Sequence, residues 1–289
     1  MLYKLYKRIR MGQLAKQIVC GFLYYSHYYT SLKIRLFKIQ YIIIIRNYKV
    51  NCELSWIKTK VEENYTVVSV IKSNEKTRIT RLRSKTLSKD MIKREFEGDG
   101  ESYKNLLGVT QKNLPAIYDV FCENGMCTVF EEFIDGATVA DILSGGLYTE
   151  RGAAVVGSEV CDALFTLHSR DIIHRDVKPE NVMITSDGHV VLIDLGAARI
   201  FKPSAESDTF IMGTVGYAAP EQFGFSQTGR YTDIFSLGVM LNVMLTGCHP
   251  SKLIYDGAFG RIIRRCIQIE PKKRFASAPE LKANLQKFI

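Results

Sequence analysis

From Val61 onward, the pattern of apolar and polar residues predicts a β-rich region followed by a mainly helical one. The runs "YTVVSVI" and "TRITRLR" are typical of two strands in a basic hairpin, and the turn "SNEK" between them lacks glycine. The polar stretch over residues 87–108 is compatible with a helix. The run "AIYDVFCENGMCTVFEEFI" predicts a second hairpin, because Asn-Gly is a favoured two-residue turn between strands.

Helical spacing dominates the remainder of the chain. The segments "TVADILSGG" and "ERGAAVVGSEVCDALFTLHSR" have apolar residues three and four apart, and "YTDIFSLGVMLNVMLTG" is apolar enough for a buried helix. Between them, "IIHRDVKPENVMIT" and "HVVLIDLGAARI" each hold a short apolar β-run next to charged residues. The pattern indicates an α+β fold with a small β-rich front lobe and a larger, mainly helical back lobe.

The basic charge of the chain is concentrated at its N-terminal end. The net charge is +9, but residues 1–60 hold twelve Lys and Arg against one acidic residue, while the remainder is slightly acidic. Nucleic-acid binding by the remainder is therefore not expected. Residues 1–60 form an aromatic, basic extension with three open interpretations: a membrane-surface segment making weak contact through residues 1–50, a partner-binding arm, or non-native upstream sequence.

The seven cysteines have no paired metal spacing, so we expect reduced thiols in a cytoplasmic protein. Cys122 and Cys127 flank the Asn-Gly turn, and they are the two that could face each other across a hairpin.

The chemistry-bearing residues follow the two short β-runs of the back lobe. Asp194 and Asn181 offer oxygen ligands that suit Mg²⁺ bridging phosphates. Asp176 can accept a hydroxyl proton, and Lys178 can neutralise a phosphoryl group in transfer. Each residue alone is an ordinary surface charge, but together their spacing indicates phosphoryl transfer.

The stretch "HRDVKPEN" resembles the catalytic loop of eukaryotic-type serine/threonine protein kinases, and the sequence is similar to the bacterial members of that family. "IDLG" is similar to the family's metal-binding loop, with Leu195 where Phe is usual. "GTVGYAAPE", "DIFSLG" and "EPKKRF" follow in the family's order. The resemblance covers about residues 61–289 and implies a two-lobed kinase fold, ATP and Mg²⁺ as cofactors, and Ser/Thr hydroxyls of proteins as substrates.

The resemblance also implies a role for each matching residue. Asp176 would orient the substrate hydroxyl, Lys178 would contact the γ-phosphate, and Thr214 would hydrogen-bond both of them. Asn181 and Asp194 would hold Mg²⁺. The structural and regulatory set comprises His174, Arg175, Gly196, Asp233, the pair Glu221 and Arg274, and the phosphorylation candidates Ser204, Ser207 and Thr209 that Arg175 would anchor.

The segment "FEEFIDG" lies where the family's two lobes are linked, so the resemblance places residues 61–134 in the front lobe and hinge and 135–289 in the back lobe. The backbone of Glu132, Phe133 and Ile134 would meet adenine, and Met183 would lie beneath the ring. Glu131 falls at a position that is usually apolar; the resemblance does not explain this departure, and a Glu there could pair with a basic side chain of the front lobe.

The front lobe departs from the family pattern, because the basic hairpin has no glycine-rich turn. Lys85 is the candidate for the strand Lys that contacts phosphates, and Arg83, Lys89 and Lys93 are the alternatives. Its acidic partner on a helix would be Glu101, with Glu95 and Glu97 as alternatives. This departure keeps open the alternative of a weak or inactive kinase fold that acts as a binding protein. A small-molecule phosphotransferase is a third hypothesis, which the "APE" segment and the pair Glu221 and Arg274 disfavour, because such enzymes resemble kinases without them.

Overall fold

The computed structural model describes residues 61, 63–201, 214–223 and 227–289. The described residues belong to one compact unit. The expectations about residues 1–60 and about phosphorylation at Ser204, Ser207 and Thr209 lie outside the described residues.

The front lobe is one antiparallel sheet of five strands in the order β1-β2-β3-β5-β4. The strands are β1 (Tyr65–Ser73), β2 (Thr77–Ser84), β3 (Asp90–Glu97), β4 (Ile117–Glu123) and β5 (Met126–Glu132). Both predicted hairpins are confirmed as β1–β2 and β4–β5. The polar turn after β1 needs no glycine, because the side-chain oxygen of Asn74 accepts hydrogen bonds from the backbone N–H groups of Lys76 and Thr77.

The predicted helix over residues 87–108 is wrong for its first half. Asp90–Glu97 is the central strand β3, hydrogen-bonded to β2 on one side and to β5 on the other. Helix α1 (Glu101–Lys104) is a single turn. The sequence concealed the strand because Arg94 occupies an inward position between Ile92 and Phe96, which interrupts the apolar alternation.

The β4–β5 turn brings two cysteines together. Asn124 and Gly125 both have positive φ, 52° and 78°, as a type I′ turn requires. Cys122 and Cys127 are directly opposite in the register and are joined in a disulfide. For this pair, the expectation of reduced thiols is wrong, because the tight hairpin holds both side chains on one face.

The back lobe is built from helices around a buried apolar core. Its helices are α2 (Val139–Leu143), α3 (Glu150–His168), α4 (Arg230–Thr246), α5 (Gly257–Cys266) and α6 (Ala278–Leu285). The predicted helices are confirmed in α2, α3 and α4. Helix α4 is buried along most of its length, as its apolar sequence predicted. No helix within the described ranges is long and apolar enough to cross a bilayer.

Short strands carry the loops of the candidate site. A three-stranded sheet has the order β6-β8-β9, from β6 (Gly136–Thr138), β8 (Val182–Thr185) and β9 (Val190–Leu192). A two-stranded sheet pairs β7 (Ile172–Ile173) with β10 (Arg199–Ile200). The loop after β7 and the loop after β9 therefore begin next to the core. These elements give the two-lobed α+β fold that the sequence predicted.

Candidate active site

The loop after β7 is held in place by one buried carboxylate. Asp233 of α4 has no exposed surface and accepts the backbone N–H groups of His174 at 3.0 Å and Arg175 at 2.8 Å. The ring Nε2–H of His168 donates to the same carboxylate at 2.8 Å. Burial alone would raise the pKa of Asp233, but these donors and the charge of His168 hold it below its ordinary value. The Asp233 carboxylate therefore fixes the backbone at the start of this loop.

His174 orients the loop a second time. Its Nε2–H donates to the carbonyl of Ile193 at 3.1 Å, and its Nδ1 accepts the backbone N–H of Asp176 at 3.3 Å. Because Ile193 directly precedes Asp194, one imidazole ties the loop of Asp176 to the loop of Asp194.

Asp176 lies at the centre of a compact polar cluster. Its Oδ1 accepts the hydroxyl of Thr214 at 2.7 Å, and its Oδ2 lies 2.8 Å from the Lys178 ammonium and 2.9 Å from the Asn181 Nδ2 donor. Lys178 also donates to the Thr214 hydroxyl at 2.6 Å. The structure therefore brings together all four residues that the sequence predicted as catalytic. The Asp176 side chain is 15% exposed, so a substrate hydroxyl can approach it.

The two expected magnesium ligands lie on connected loops, since the Ile193 N–H donates to the Asn181 carbonyl at 2.8 Å. Asp194 has a left-handed backbone (φ 65°), and its Oδ1 accepts the Gly196 N–H at 3.0 Å. A Cβ at position 196 would lie 2.9 Å from that oxygen, so any other residue there would displace the Asp194 carboxylate. Because Asn181 uses its NH₂ group on Asp176, its amide oxygen is the atom suited to a cation. This oxygen donor set fits Mg²⁺.

The basic residue beside Asp194 is Arg94, which the sequence did not single out. On β3, its Nη1 donates to Asp194 at 2.8 Å, and its Nε and Nη2 both donate to one oxygen of Glu131 at 3.1 and 3.0 Å. The expectation that Glu131 pairs with a basic side chain of the front lobe is met by this contact. Burial would raise the pKa of Asp194, but the charge of Arg94 and the Gly196 N–H lower it below the ordinary value.

The structure does not bring Lys85 and Glu101 together beside Asp194, and this corrects their assignment. Lys85 follows the last residue of β2 and is exposed, and its ammonium donates to the Glu63 carbonyl at 2.9 Å. Glu101 is exposed on α1, and the residue of that turn that packs on the sheet is Tyr103. The signal that could have revealed Arg94 is its buried, inward position on β3, which requires the strand register.

The other sequence alternatives in the front lobe are engaged elsewhere. Arg83 forms two hydrogen bonds to Asp90, at 2.6 and 2.9 Å. Lys93 points to the opposite face of β3 from Arg94 and pairs with Glu95 at 2.8 Å.

The segment that links the front sheet to β6 contains the residues expected at adenine. The Glu132 carboxylate accepts the Ala116 N–H at 3.0 Å, and the Arg81 guanidinium stacks 3.9 Å from the centre of the Phe133 ring. Ile134 follows in the same connection, and Met183 lies on β8 opposite Thr138 and Val191. Leu195, where the resembling family has Phe, packs into the main core.

Arg175 is turned toward the start of the segment after Asp194. Its backbone has φ 64°, and its Nε donates to the Ala197 carbonyl at 2.7 Å. Burial lowers the pKa of Arg175, and the charge of Asp233 opposes that effect. Gln222 fixes the same residue, because its side-chain NH₂ donates to the Arg175 carbonyl at 2.8 Å.

Glu221 and Arg274 form the expected pair deep in the back lobe. Their side chains are 2% and 0% exposed, and two parallel hydrogen bonds of 2.7 and 2.9 Å join them. The Thr232 hydroxyl donates to the same carboxylate at 2.8 Å. This buried, bidentate pair fixes the segment after Thr214 to the helical core.

Comparisons with known proteins agree with this geometry. Residues 57–289 match the family model described as the protein kinase domain. The chain is 28% identical over 232 residues to a probable serine/threonine-protein kinase of Clostridium perfringens, covering 72% of this chain and 33% of that protein. It is 27% identical over 230 residues to serine/threonine-protein kinase D of a Synechocystis species, covering 70% of this chain and 44% of that protein. The match therefore spans less than half of either relative's length.

Proposed function

The chain belongs to the protein kinase domain family, and from this premise we propose that it transfers the γ-phosphate of ATP to Ser/Thr hydroxyls of proteins. The observation that carries the proposal is the cluster in which Asp176 contacts both Thr214 and Lys178. Such a cluster joins a proton acceptor to a cation at one point, which phosphoryl transfer to a hydroxyl requires.

Each residue of the cluster has a distinct part in the proposed reaction. Asp176 orients the substrate hydroxyl and accepts its proton, while the Thr214 hydroxyl fixes one carboxylate oxygen. Lys178 lies 2.8 Å from Asp176 and offsets negative charge on the phosphoryl group in transfer. Asn181 and Asp194 would hold Mg²⁺, which supplies charge neutralisation at the phosphate oxygens when it is bound.

The nucleotide is proposed to lie between the front sheet and β8. The backbone of residues 132–134 would meet the adenine edge, and Met183 would form an apolar floor. In the same reading, residues 61–134 form the front lobe and hinge and residues 135–289 form the back lobe. Phosphorylation at Ser204, Ser207 or Thr209, anchored by Arg175, and membrane-surface contact through residues 1–50 stay predictions.

A cytoplasmic location also stays a prediction, and one observation weighs against it. Reducing compartments keep most thiols reduced, whereas Cys122 and Cys127 are disulfide-bonded. The redox state of this pair in cells would distinguish a reducing compartment from an oxidising one.

The inactive-kinase hypothesis rested on the missing glycines and on the uncertain strand Lys. The Asn74-capped turn accounts for the missing glycines in structural terms, and Arg94 places a cation at Asp194. An active enzyme is therefore the better supported function.

The proposal is tested with labelled ATP, Mg²⁺ and a generic basic protein substrate. We expect the parent to label Ser or Thr and the Asp176→Asn variant to be slower by roughly 10²- to 10⁴-fold, because it lacks the proton acceptor. Circular dichroism of both proteins controls for folding. Absence of transfer by a folded parent, or labelling of Tyr alone, contradicts the proposal.

A further inference from the structure

We propose that Arg94 is the nucleotide-phosphate contact of this enzyme and that Glu131 is its positioning residue, so that two neighbouring strands carry the ion pair. This inference rests on the proposed function. It assigns to Arg94 the place that sequence reasoning gave to Lys85, and to Glu131 the place given to Glu101.

The strand register fixes this pair. Arg94 lies opposite Val129 and Ile92 lies opposite Glu131, so Arg94 and Glu131 are diagonal neighbours on one face of the β3–β5 ladder. Their side chains are 7% and 6% exposed. Because both strands belong to the interior of one sheet, the pair is assembled by the fold and needs no helix to move into place.

The guanidinium geometry divides Arg94 between two tasks. Nε and Nη2 are committed to Glu131, and Nη1 points to Asp194 at 2.8 Å. A guanidinium keeps its charge at any physiological pH and offers donors in a fixed plane. Glu131 therefore orients Arg94 so that Nη1 faces Asp194, the carboxylate expected to hold Mg²⁺. Nucleotide phosphates would bind next to the same carboxylate.

The Asp194 carboxylate is accessible to an arriving cation. Arg94 carries one positive charge against the two carboxylates of Glu131 and Asp194, and the Asp194 side chain is 26% exposed. These three groups are net negative when both carboxylates are ionised, but the positive charge of Lys72 on β1 also acts on Asp194. The cation site therefore rests on the partly exposed Asp194 carboxylate and not on an excess of negative charge. Arg94 then has a donor edge available to phosphate oxygens, to which arginine binds strongly.

Tyr103 covers this face of the sheet where a longer helix is absent. It is 1% exposed, and its ring packs 5.5 Å from the ring of Phe96, two residues after Arg94 on β3. The single-turn α1 thus shields the ion pair from water and leaves no carboxylate of its own against it. Water exclusion strengthens the hold of Glu131 on Arg94.

The test measures MgADP affinity by calorimetry, together with KM for MgATP and kcat. We expect Arg94→Met to weaken MgADP binding and raise KM about ten- to hundredfold, as loss of a charge-assisted hydrogen bond does. Glu131→Gln retains a hydrogen-bond acceptor but loses the charge, so its effect falls between parent and Arg94→Met and lies mainly in KM. Arg83→Met, which removes another paired arginine of the sheet, is the matched control and stays at the parental value.

Folding is controlled with the double variant Arg94→Met/Glu131→Met. It removes both buried charges together, which spares the fold the cost of one unpaired charge. We expect it to fold and to bind MgADP as weakly as Arg94→Met. If either Arg94 variant binds MgADP like the parent while Lys85→Met binds weakly, the inference is wrong and Lys85 is the phosphate contact.

The result also separates this inference from the proposed function. A parent that binds MgADP through Arg94 but transfers no phosphate contradicts the kinase activity and supports the inference. If the parent and the Arg94→Met variant transfer phosphate equally well, the result supports the kinase activity and overturns the inference.

Discussion

The two lobes hold their functional groups by different physical means. In the back lobe, the loop of Asp176 is fixed through its backbone. The buried Asp233 carboxylate accepts hydrogen bonds from two main-chain N–H groups of the loop and from the His168 ring. In the front lobe, Arg94 is fixed through its side chain, by a carboxylate on the neighbouring strand. We therefore expect substitutions at the back-lobe anchor to lower both the stability of the fold and the rate of phosphoryl transfer. Front-lobe substitutions at the ion pair should mainly affect nucleotide capture.

The largest expected effect on stability is at Asp233. We expect Asp233→Ala to lower the free energy of unfolding by about 3–5 kcal/mol, because the loss leaves two buried N–H groups and His168 without their acceptor. Urea unfolding measures it. The control is Asp256→Ala, since the Asp256 side chain is 93% exposed and forms a surface ion pair with Arg264. Equal effects at the two positions would contradict the role of Asp233 as the buried anchor of the Asp176 loop.

The residues that anchor the back-lobe loop could be identified from the sequence, whereas the Arg94–Glu131 pair of the front lobe could not. Asp233, Glu221 and Arg274 lie in the stretches "DIFSLG", "GTVGYAAPE" and "EPKKRF", and the resemblance of these stretches to kinase motifs implied a role for each residue. Arg94 belongs to no such pattern, and its role appears only when the β3–β5 register places it diagonal to Glu131. A buried charge on a central strand contradicts ordinary strand patterning, so the same residue concealed both the strand and the site.

The two hairpin turns of the front lobe were only partly predictable from the sequence. The Asn-Gly hairpin was predictable because few residue pairs adopt two consecutive positive φ angles. Its disulfide was not, because the sequence placed Cys122 and Cys127 close together without deciding their oxidation state. The glycine-free turn was puzzling in the sequence, and the side-chain contacts of Asn74 account for it.

The disulfide gives the next largest effect and concerns the front lobe alone. Closing a short loop stabilises a fold by about 2 kcal/mol in the chain-entropy description, so reductant should lower the stability of the parent by that amount. Thermal unfolding with and without reductant measures it. The variant Cys122→Ser/Cys127→Ser should be insensitive to reductant. A parent with the same melting temperature in both conditions would contradict a formed disulfide.

The smallest expected effect is a pH dependence at Asp119 on β4. Burial raises the pKa of Asp119 to about 6, and the hydrogen bond from the Val120 N–H only partly opposes this. The folded protein therefore holds this proton more tightly than the unfolded chain, so the residue costs stability as pH rises from about 4 through 6. Asp119→Asn should stabilise the protein by about 1 kcal/mol at pH 8, after allowance for solvent screening, and by less at pH 4.5. Urea unfolding at both pH values checks this, and a gain that is larger at pH 4.5 has the wrong sign.

The division of labour between the lobes is tested most directly by titrating MgATP into two variants, Asp176→Asn and Arg94→Met, with calorimetric detection. We expect Asp176→Asn to bind MgATP like the parent, since its role is in the transfer step. We expect Arg94→Met to bind it about ten- to hundredfold more weakly, since Arg94 is the phosphate contact. The reverse order of affinities, in which Asp176→Asn loses MgATP and Arg94→Met retains it, would contradict the assignment of chemistry to the back lobe and nucleotide capture to the front sheet.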